Sequence, residues 1–553
     1  MTLAANTLPL RGPVARPGTL TGVGALIRHI VRRDRVRMTV WALSIAAFIA
    51  YFAVALTTVF DAAALAARAA VMRTPSGIVM GGPGYGLDDY TAPVAIANEG
   101  ITWIVLALAI MSIAHVVRHT RAEEESARAE LIRAAPVGRH AAAVAALVTL
   151  AAHLIVIAAL GAAALVALGD EVPVPDAVAL MLGSAVSALV FGAVALVTAQ
   201  ISEHARAASG LALAVFGVFF VIRAAGDLQE TGGSPLSWFS PIAWAQQTRP
   251  FVDLRWWPIA LGLAATALLL ALAAVIASRR DVGAGLLPAR RGRAAASRAL
   301  SSPFALAWRQ QRAALAWTAA GLGLLWFGAG TMMSTLDDMM SELVASNAAF
   351  GAMFGEDPTA FTASFLGVMA LFAGICAAAY AIGAGLRPGG EEASGRLELV
   401  AASAVSRAGW FAAQLAVAAL GALAVIAVSI GALWAGVVVV GIEDPGVADF
   451  ARVLAFTAPA VLVFLAATAT LYAWVPRAAG AAWAVLAVAF AIGMFGPLFE
   501  LPDAVLRLSP FHGVSGAFLD DADIVPPIVL AAITAALFAL ALVGFHRREV
   551  RTG

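Results

Sequence analysis

Lysine is absent: all 35 basic side chains of the 553-residue chain are arginines. A phosphate-binding P-loop needs a lysine to reach the nucleotide phosphates, so this sequence cannot build one. If ATP drives the protein, the ATPase is another polypeptide. Charge of either sign is scarce, at 12% of residues with a net charge of +1, and no basic groove for nucleic acid is implied. The single cysteine, Cys376, sits inside an apolar run, which excludes an intramolecular disulfide and a cysteine-rich metal site. HExxH and GxSxG motifs are missing as well, and no paired-Asp motif lies within the apolar runs. Residues 1–21 hold two arginines and three prolines but no apolar core of about seven residues. They therefore read as a loose cytoplasmic tail and not as a cleavable signal peptide.

What fills the chain is apolar. Hydrophobic residues make up 61% of it and the mean hydropathy is +0.89, against roughly half apolar in a soluble protein. The class is integral membrane and all-α, because a bilayer core of about 30 Å takes roughly 20 apolar residues per helix and twelve such runs are present. They fall near 38–60, 98–117, 141–168, 177–201, 207–226 and 256–278, then near 314–335, 363–386, 409–440, 451–474, 481–499 and 524–545. The runs are continuous and rich in Ala and Leu, without the period-2 alternation of a membrane barrel. Ahead of the first, Val23, Leu26, Ile27, Ile30 and Val31 fall at helical spacing opposite Arg28, His29, Arg32, Arg33 and Arg35. That pattern suits an amphipathic helix in the inner interface; the alternative is a basic flank of the next span.

Orientation follows from arginine placement. With both termini and the charged segment after the second run placed inside, 28 of the 35 arginines are cytoplasmic, whereas 23 of the 34 acids fall outside.

That charged segment is echoed 268 positions later. Residues 123–139 and 391–407 share 9 of 17 positions, among them Glu123/Glu391, Glu124/Glu392, Ser126/Ser394, Arg128/Arg396, Glu130/Glu398, Leu131/Leu399 and Arg139/Arg407. Arg279-Arg280-Asp281 recurs as Arg547-Arg548-Glu549 at the same offset, Ser240-Pro241 recurs as Ser509-Pro510 at 269, and Arg33 and Trp41 correspond to Arg309 and Trp317 at 276. The chain therefore reads as two six-helix halves in parallel orientation. Its expected divisions are a tail at 1–21, a first half at 22–281 with a coupling segment at 120–139, a linker at 282–303, and a second half at 304–553 with a coupling segment at 388–407.

The spacing Glu124 to Arg128, and Glu392 to Arg396, is that of i to i+4 ion pairs on a short helix, with glutamates suited to its N-terminus. Leu131, Ile132, Leu399 and Val400 add a small apolar knob, which fits a groove on a soluble partner. A solvated loop is the alternative, weakened by the survival of Ser-x-Arg-x-Glu-Leu in both halves. The first copy is expected to be the tighter joint, since Glu125, Arg133 and Pro136 are replaced by Ala393, Ala401 and Ala404 in the second.

Chemistry within the bilayer has few candidates: Glu99, His115, His153 and Arg223. The histidines read as packed or interfacial, and Arg223 as an interfacial pair with Asp227 four residues on. The stretch Gly81 to Gly86 lies in an outer loop with no strand before it and no lysine after it, so it is not read as a phosphate loop. Neither a cofactor nor a metal is expected in this chain.

These features together resemble the ABC-2 type exporter permeases, and more closely the fused twelve-span permeases of actinobacterial multidrug and polyether-antibiotic exporters, the tetronasin-transport type. The residues that carry the resemblance are the Glu-Glu-Glu-x-x-Arg-x-Glu-Leu segment with Pro136, Val137 and Arg139, then Ser240-Pro241, Arg249-Pro250-Phe251, Arg255-Trp256-Trp257 and the run from Arg279 to Leu286. The resemblance implies two tandem ABC-2, type V exporter-like halves with both termini cytoplasmic. It implies a permease in the cell membrane that expels hydrophobic or amphipathic drugs and pairs with two ATP-binding subunits holding ATP and Mg. The ATPase-coupling residues would be Glu123, Glu124, Glu125, Arg128, Glu130, Leu131 and Arg139, with Glu391, Glu392, Arg396, Glu398, Leu399 and Arg407. An ion-coupled secondary transporter is the alternative, set back by the lack of carboxylates near midplane.

Overall fold

A computed structural model describes residues 18–58, 60–126, 135–169, 172–280, 283–286, 295, 297, 300–333, 358–495, 502–518 and 523–548. Among them every regular element is helical, and twelve helices are long and apolar enough to cross a membrane. Their bounds track the apolar runs; the run at 141–168 becomes Ala141–Val166 and that at 256–278 becomes Trp257–Arg279. The contacts divide the chain into two units, Met1–Gly292 and Arg293–Gly553.

The first unit contains α1 (Val23–Thr58), α2 (Ala62–Arg73), α3 (Pro75–Met80), α4 (Ala92–His119), α5 (Arg121–Glu125), α6 (Ala141–Val166), α7 (Val174–Ile201), α8 (Ala205–Asp227), α9 (Pro241–Gln246) and α10 (Trp257–Arg279). The amphipathic segment at 22–37 is not a separate helix. No proline and no glycine beyond Gly24 interrupts the sequence up to Thr58, so α1 runs unbroken through both parts. The most buried helices are α4 and α7, with α1 packed on α6, α4 on α7, and α7 on α10.

Two interhelical loops of this unit are tied down by side chains. Arg223 and Asp227 pair at 3.4 Å, as their spacing predicts, and both side chains are fully buried. The Arg223 guanidinium also donates to the carbonyl oxygens of Ile78 and Val79 on α3, and Ser237 donates to Asp227. Glu99 on α4 takes hydrogen bonds from Arg68 and from the Tyr90 hydroxyl. Burial, and then Glu99 beside it, push the Tyr90 phenol far above its ordinary range, so it remains a donor. In the glycine-rich loop the Asn98 side chain binds both the N–H and the carbonyl of Tyr85. The loop is a packing element in which that N–H points at a side chain of its own unit.

The second unit contains α11 (Pro303–Thr331), α12 (Pro358–Gly385), α13 (Arg387–Ala393), α14 (Arg396–Ala401), α15 (Arg407–Val439), α16 (Val447–Trp474), α17 (Ala482–Phe495), α18 (Asp503–Leu506) and α19 (Val525–Arg547). Its long helices pair in the same order: α11 on α15, α12 on α16, α16 on α19. Helix association in a bilayer depends on close packing and not on hydrophobic exclusion, which favours small residues at the seam. Gly330 and Gly436 meet there: a Cβ on Gly330 would lie 2.3 Å from the Leu433 carbonyl, and one on Gly436 2.3 Å from that of Phe327.

Candidate coupling segments

In the first unit Glu123, Glu124, Glu125 and Arg139 of the segment reach three other helices, α1, α8 and α10. Glu123 accepts from Arg33 of α1 at 2.5 Å. Glu124 takes two bonds from Arg280, at the end of α10, at 2.9 and 3.0 Å, and one from Arg121 at 2.6 Å. Glu125 accepts from the N–H of Ala205 at 2.8 Å and from His204 at 3.3 Å, and so caps the N-terminus of α8, whose first N–H groups have no partner within the helix. Arg139 donates to the carbonyls of Ala277 and Arg280 at 2.6 and 3.1 Å, doing the converse for the carbonyl end of α10. Arg280 also holds Gln200 of α7 and the Ala284 carbonyl, while Arg121 holds the Gly283 and Ala284 carbonyls. Arg128, Glu130 and Leu131 lie outside the described residues.

The second unit repeats the central bond. Glu392 accepts from Arg548 at 2.5 and 2.7 Å; the two partners stand 156 residues apart, as Glu124 and Arg280 do. The Tyr472 hydroxyl at the end of α16 donates to Glu392 at 2.6 Å, and the Arg548 guanidinium lies over the Tyr472 ring. Glu391 binds Arg396 at 2.9 and 3.0 Å and Gln310 of α11 at 3.5 Å.

The expected Glu392–Arg396 pair does not form. Gly395 takes φ +70°, ends the helical run after Ala393, and restarts it as α14 at Arg396. Across that left-handed break the i to i+4 register is lost, so Arg396 turns to Glu391 and Glu392 is free for Arg548. Leu397 is buried against Trp410, Phe411 and Phe545, whereas Glu398, Leu399 and Arg407 are exposed, Leu399 at 77%.

Sequence reasoning used Arg280 and Arg548 as repeat markers, and Arg280 also in the resemblance, but gave neither a partner; their shared offset was the signal that each could answer a glutamate in its own half. It also passed over Asp34, Arg118 and His119. Asp34, buried on α1, accepts from Arg118 at 3.0 Å and contacts His119 Nε2 at 2.8 Å. His115, one turn earlier on α4, bonds the Thr149 hydroxyl at 3.0 Å, and His153 bonds the Met38 carbonyl at 2.9 Å. Both are buried, as packed histidines should be.

Comparison with known proteins bears on what such a bundle belongs to. Over 540 residues the chain is 37% identical to the multidrug efflux system permease protein Rv1217c of Mycobacterium tuberculosis, covering 97% of this chain and 96% of that protein. The chain belongs to the Rv1217c family of efflux permeases. The family model described as multidrug efflux system permease Rv1217c, C-terminal domain, matches residues 300–546, which takes in Glu392, Tyr472 and Gly395 but ends just short of Arg548. As a member of this family with twelve apolar helices, the chain is a multi-pass membrane protein.

Proposed function

We propose that the chain is the membrane permease of a multidrug exporter driven by two ATP-binding subunits on separate polypeptides, which hold the ATP and Mg. The observation that carries this reading is the repeated fastening: in both units the second glutamate of the charged segment is bound to the arginine that closes the last long helix. A solvated loop has no need of such a bond. A segment that must pass a push from a soluble partner to a membrane helix does, because only a stiff joint transmits displacement.

In this reading both termini and both segments face the cytoplasm, a placement supported by the arginine distribution. The exposed Glu398–Leu399 face meets the partner, and motion passes through Glu392–Arg548 and Glu124–Arg280 to α19 and α10. The cargo is hydrophobic or amphipathic, in keeping with spans that offer Ala, Val, Leu and Phe.

The chain purified alone should hydrolyse no ATP, and adding its ATP-binding partner subunit should bring hydrolysis. A cysteine at position 399, in a Cys376→Ser background, should crosslink to that subunit. Robust hydrolysis in a preparation shown by mass spectrometry to lack any partner overturns the proposal.

A further inference from the structure

The cluster formed by Asp34, His115 and His119 is used by nothing in the coupling scheme. His115 and His119 stand four residues apart on α4, so their imidazoles share one face, with ring centroids 4.7 Å apart. Each of the three residues offers one ligand atom, these atoms lie within 4.8 Å of one another, and all three side chains are buried. We infer that this is a binding site for a divalent transition metal of the zinc class, tying α1 to α4 beside the first coupling segment.

The donor set selects the ion. Two imidazoles and one carboxylate are the ligands of a zinc site with an open position; calcium and magnesium require shells of oxygen. The surroundings orient each donor as such sites require. Arg118 holds one Asp34 oxygen at 3.0 Å, so the other is turned to His119. The Thr149 hydroxyl donates its one proton to the backbone carbonyls of Ala145 and Ala146. It must then accept from His115 Nε2–H, which leaves Nδ1 as that ring's unprotonated nitrogen. His153, buried with an unpartnered Nδ1, lies within electrostatic range of His115. His119 also lines a cavity of about 120 Å³ together with Leu26, Ile30, Arg33 and Thr120.

The second unit supplies the contrast. At the offsets that align the halves, Asp34, His115, His119 and Thr149 become Gln310, Gly383, Arg387 and Val417. Arg387 there donates to the Gln310 carbonyl at 2.8 Å. Packing the first helix of a unit against the second does not call for this cluster, so its presence in one unit answers a different need.

The test uses the full-length chain in detergent, without a histidine tag, stripped by chelator and titrated with Co²⁺. The expected result is a visible d–d absorption that saturates at a single equivalent and is abolished by Zn²⁺. Asp34→Asn and His115→Gln should each weaken binding by about tenfold or more. His119→Cys, in a Cys376→Ser background, should keep the ion and add a thiolate-to-cobalt charge-transfer band, which a purely structural role for position 119 cannot produce. The inference is overturned if the stripped protein gives no d–d band, if the band survives both ligand substitutions at unchanged affinity, or if His119→Cys binds Co²⁺ without the new band.

Discussion

Removing Arg548 should loosen the second coupling segment more than removing Arg280 loosens the first. Arg548→Ala deletes both bonds to Glu392 and the bond to the Tyr472 carbonyl. Among the described residues Glu392 then keeps only the Tyr472 hydroxyl. Its side chain is 10% exposed, so water does little to compensate, and a mostly buried carboxylate that loses its cation costs about 3–5 kcal/mol. Arg280→Ala deletes two bonds to Glu124 together with those to Gln200 and the Ala284 carbonyl, but Glu124 keeps Arg121 at 2.6 Å. A carboxylate that retains one guanidinium loses about 1.5–3 kcal/mol. Hydrogen-exchange mass spectrometry of the reconstituted protein reads the difference directly. At 1.4 kcal/mol per factor of ten, amide protection across 387–401 should fall by roughly a hundredfold or more in Arg548→Ala, and across 121–126 by about ten- to a hundredfold in Arg280→Ala. Exchanging the charges, Glu392→Arg with Arg548→Glu, should recover part of the loss. Unchanged protection in Arg548→Ala, or a greater loss in Arg280→Ala, refutes the argument that these pairs fasten the segments.

Drug efflux by cells carrying Arg548→Ala should fall along with its protection, and efflux at wild-type level from a correctly inserted variant would detach the pair from coupling. Gly436→Val should lower thermal stability in detergent by the equivalent of about 1–3 kcal/mol through overpacking, because the carbonyl of Phe327 already fills the space; an unchanged melting temperature would mean that α11 and α15 can separate freely. In a Cys376→Ser background, Thr231→Cys should react with an impermeant thiol reagent added to intact cells while Ser126→Cys does not, both positions being exposed. The opposite labelling overturns the proposed orientation. Ser234, in the same outer loop, is buried and would label poorly from either side.

The twelve helices were legible because a bilayer leaves one solution for a long apolar run, in which every backbone group is satisfied inside the helix. The contacts of the charged segments were legible only as a list of residues. Glu124 and Glu392 read as surface charge because local spacing offers Arg128 and Arg396, and nothing within the segment points 156 residues ahead. Gly395 made the difference in the second unit, and a glycine that takes positive φ looks the same in sequence as one that does not. The expected inequality of the two segments loses one support: Glu125 is already engaged in capping α8, so its absence at Ala393 removes an internal bond and not a docking charge. The histidine cluster escaped notice for another reason. His115-x-x-x-His119 is a ligand spacing, but its third member comes from α1, and only the α1–α4 contact brings it in.

The position of Arg548 also sets an order of events during synthesis. Arg280 lies 268 residues ahead of Arg548. The first segment can be fastened while most of the second unit has yet to be translated, in the N-terminus-first sequence usual for large chains. The second cannot be fastened until Arg548 itself has been made, after the last of the twelve apolar helices. A chain cut off just before position 548 would carry all twelve apolar helices and still leave Glu392 without its guanidinium.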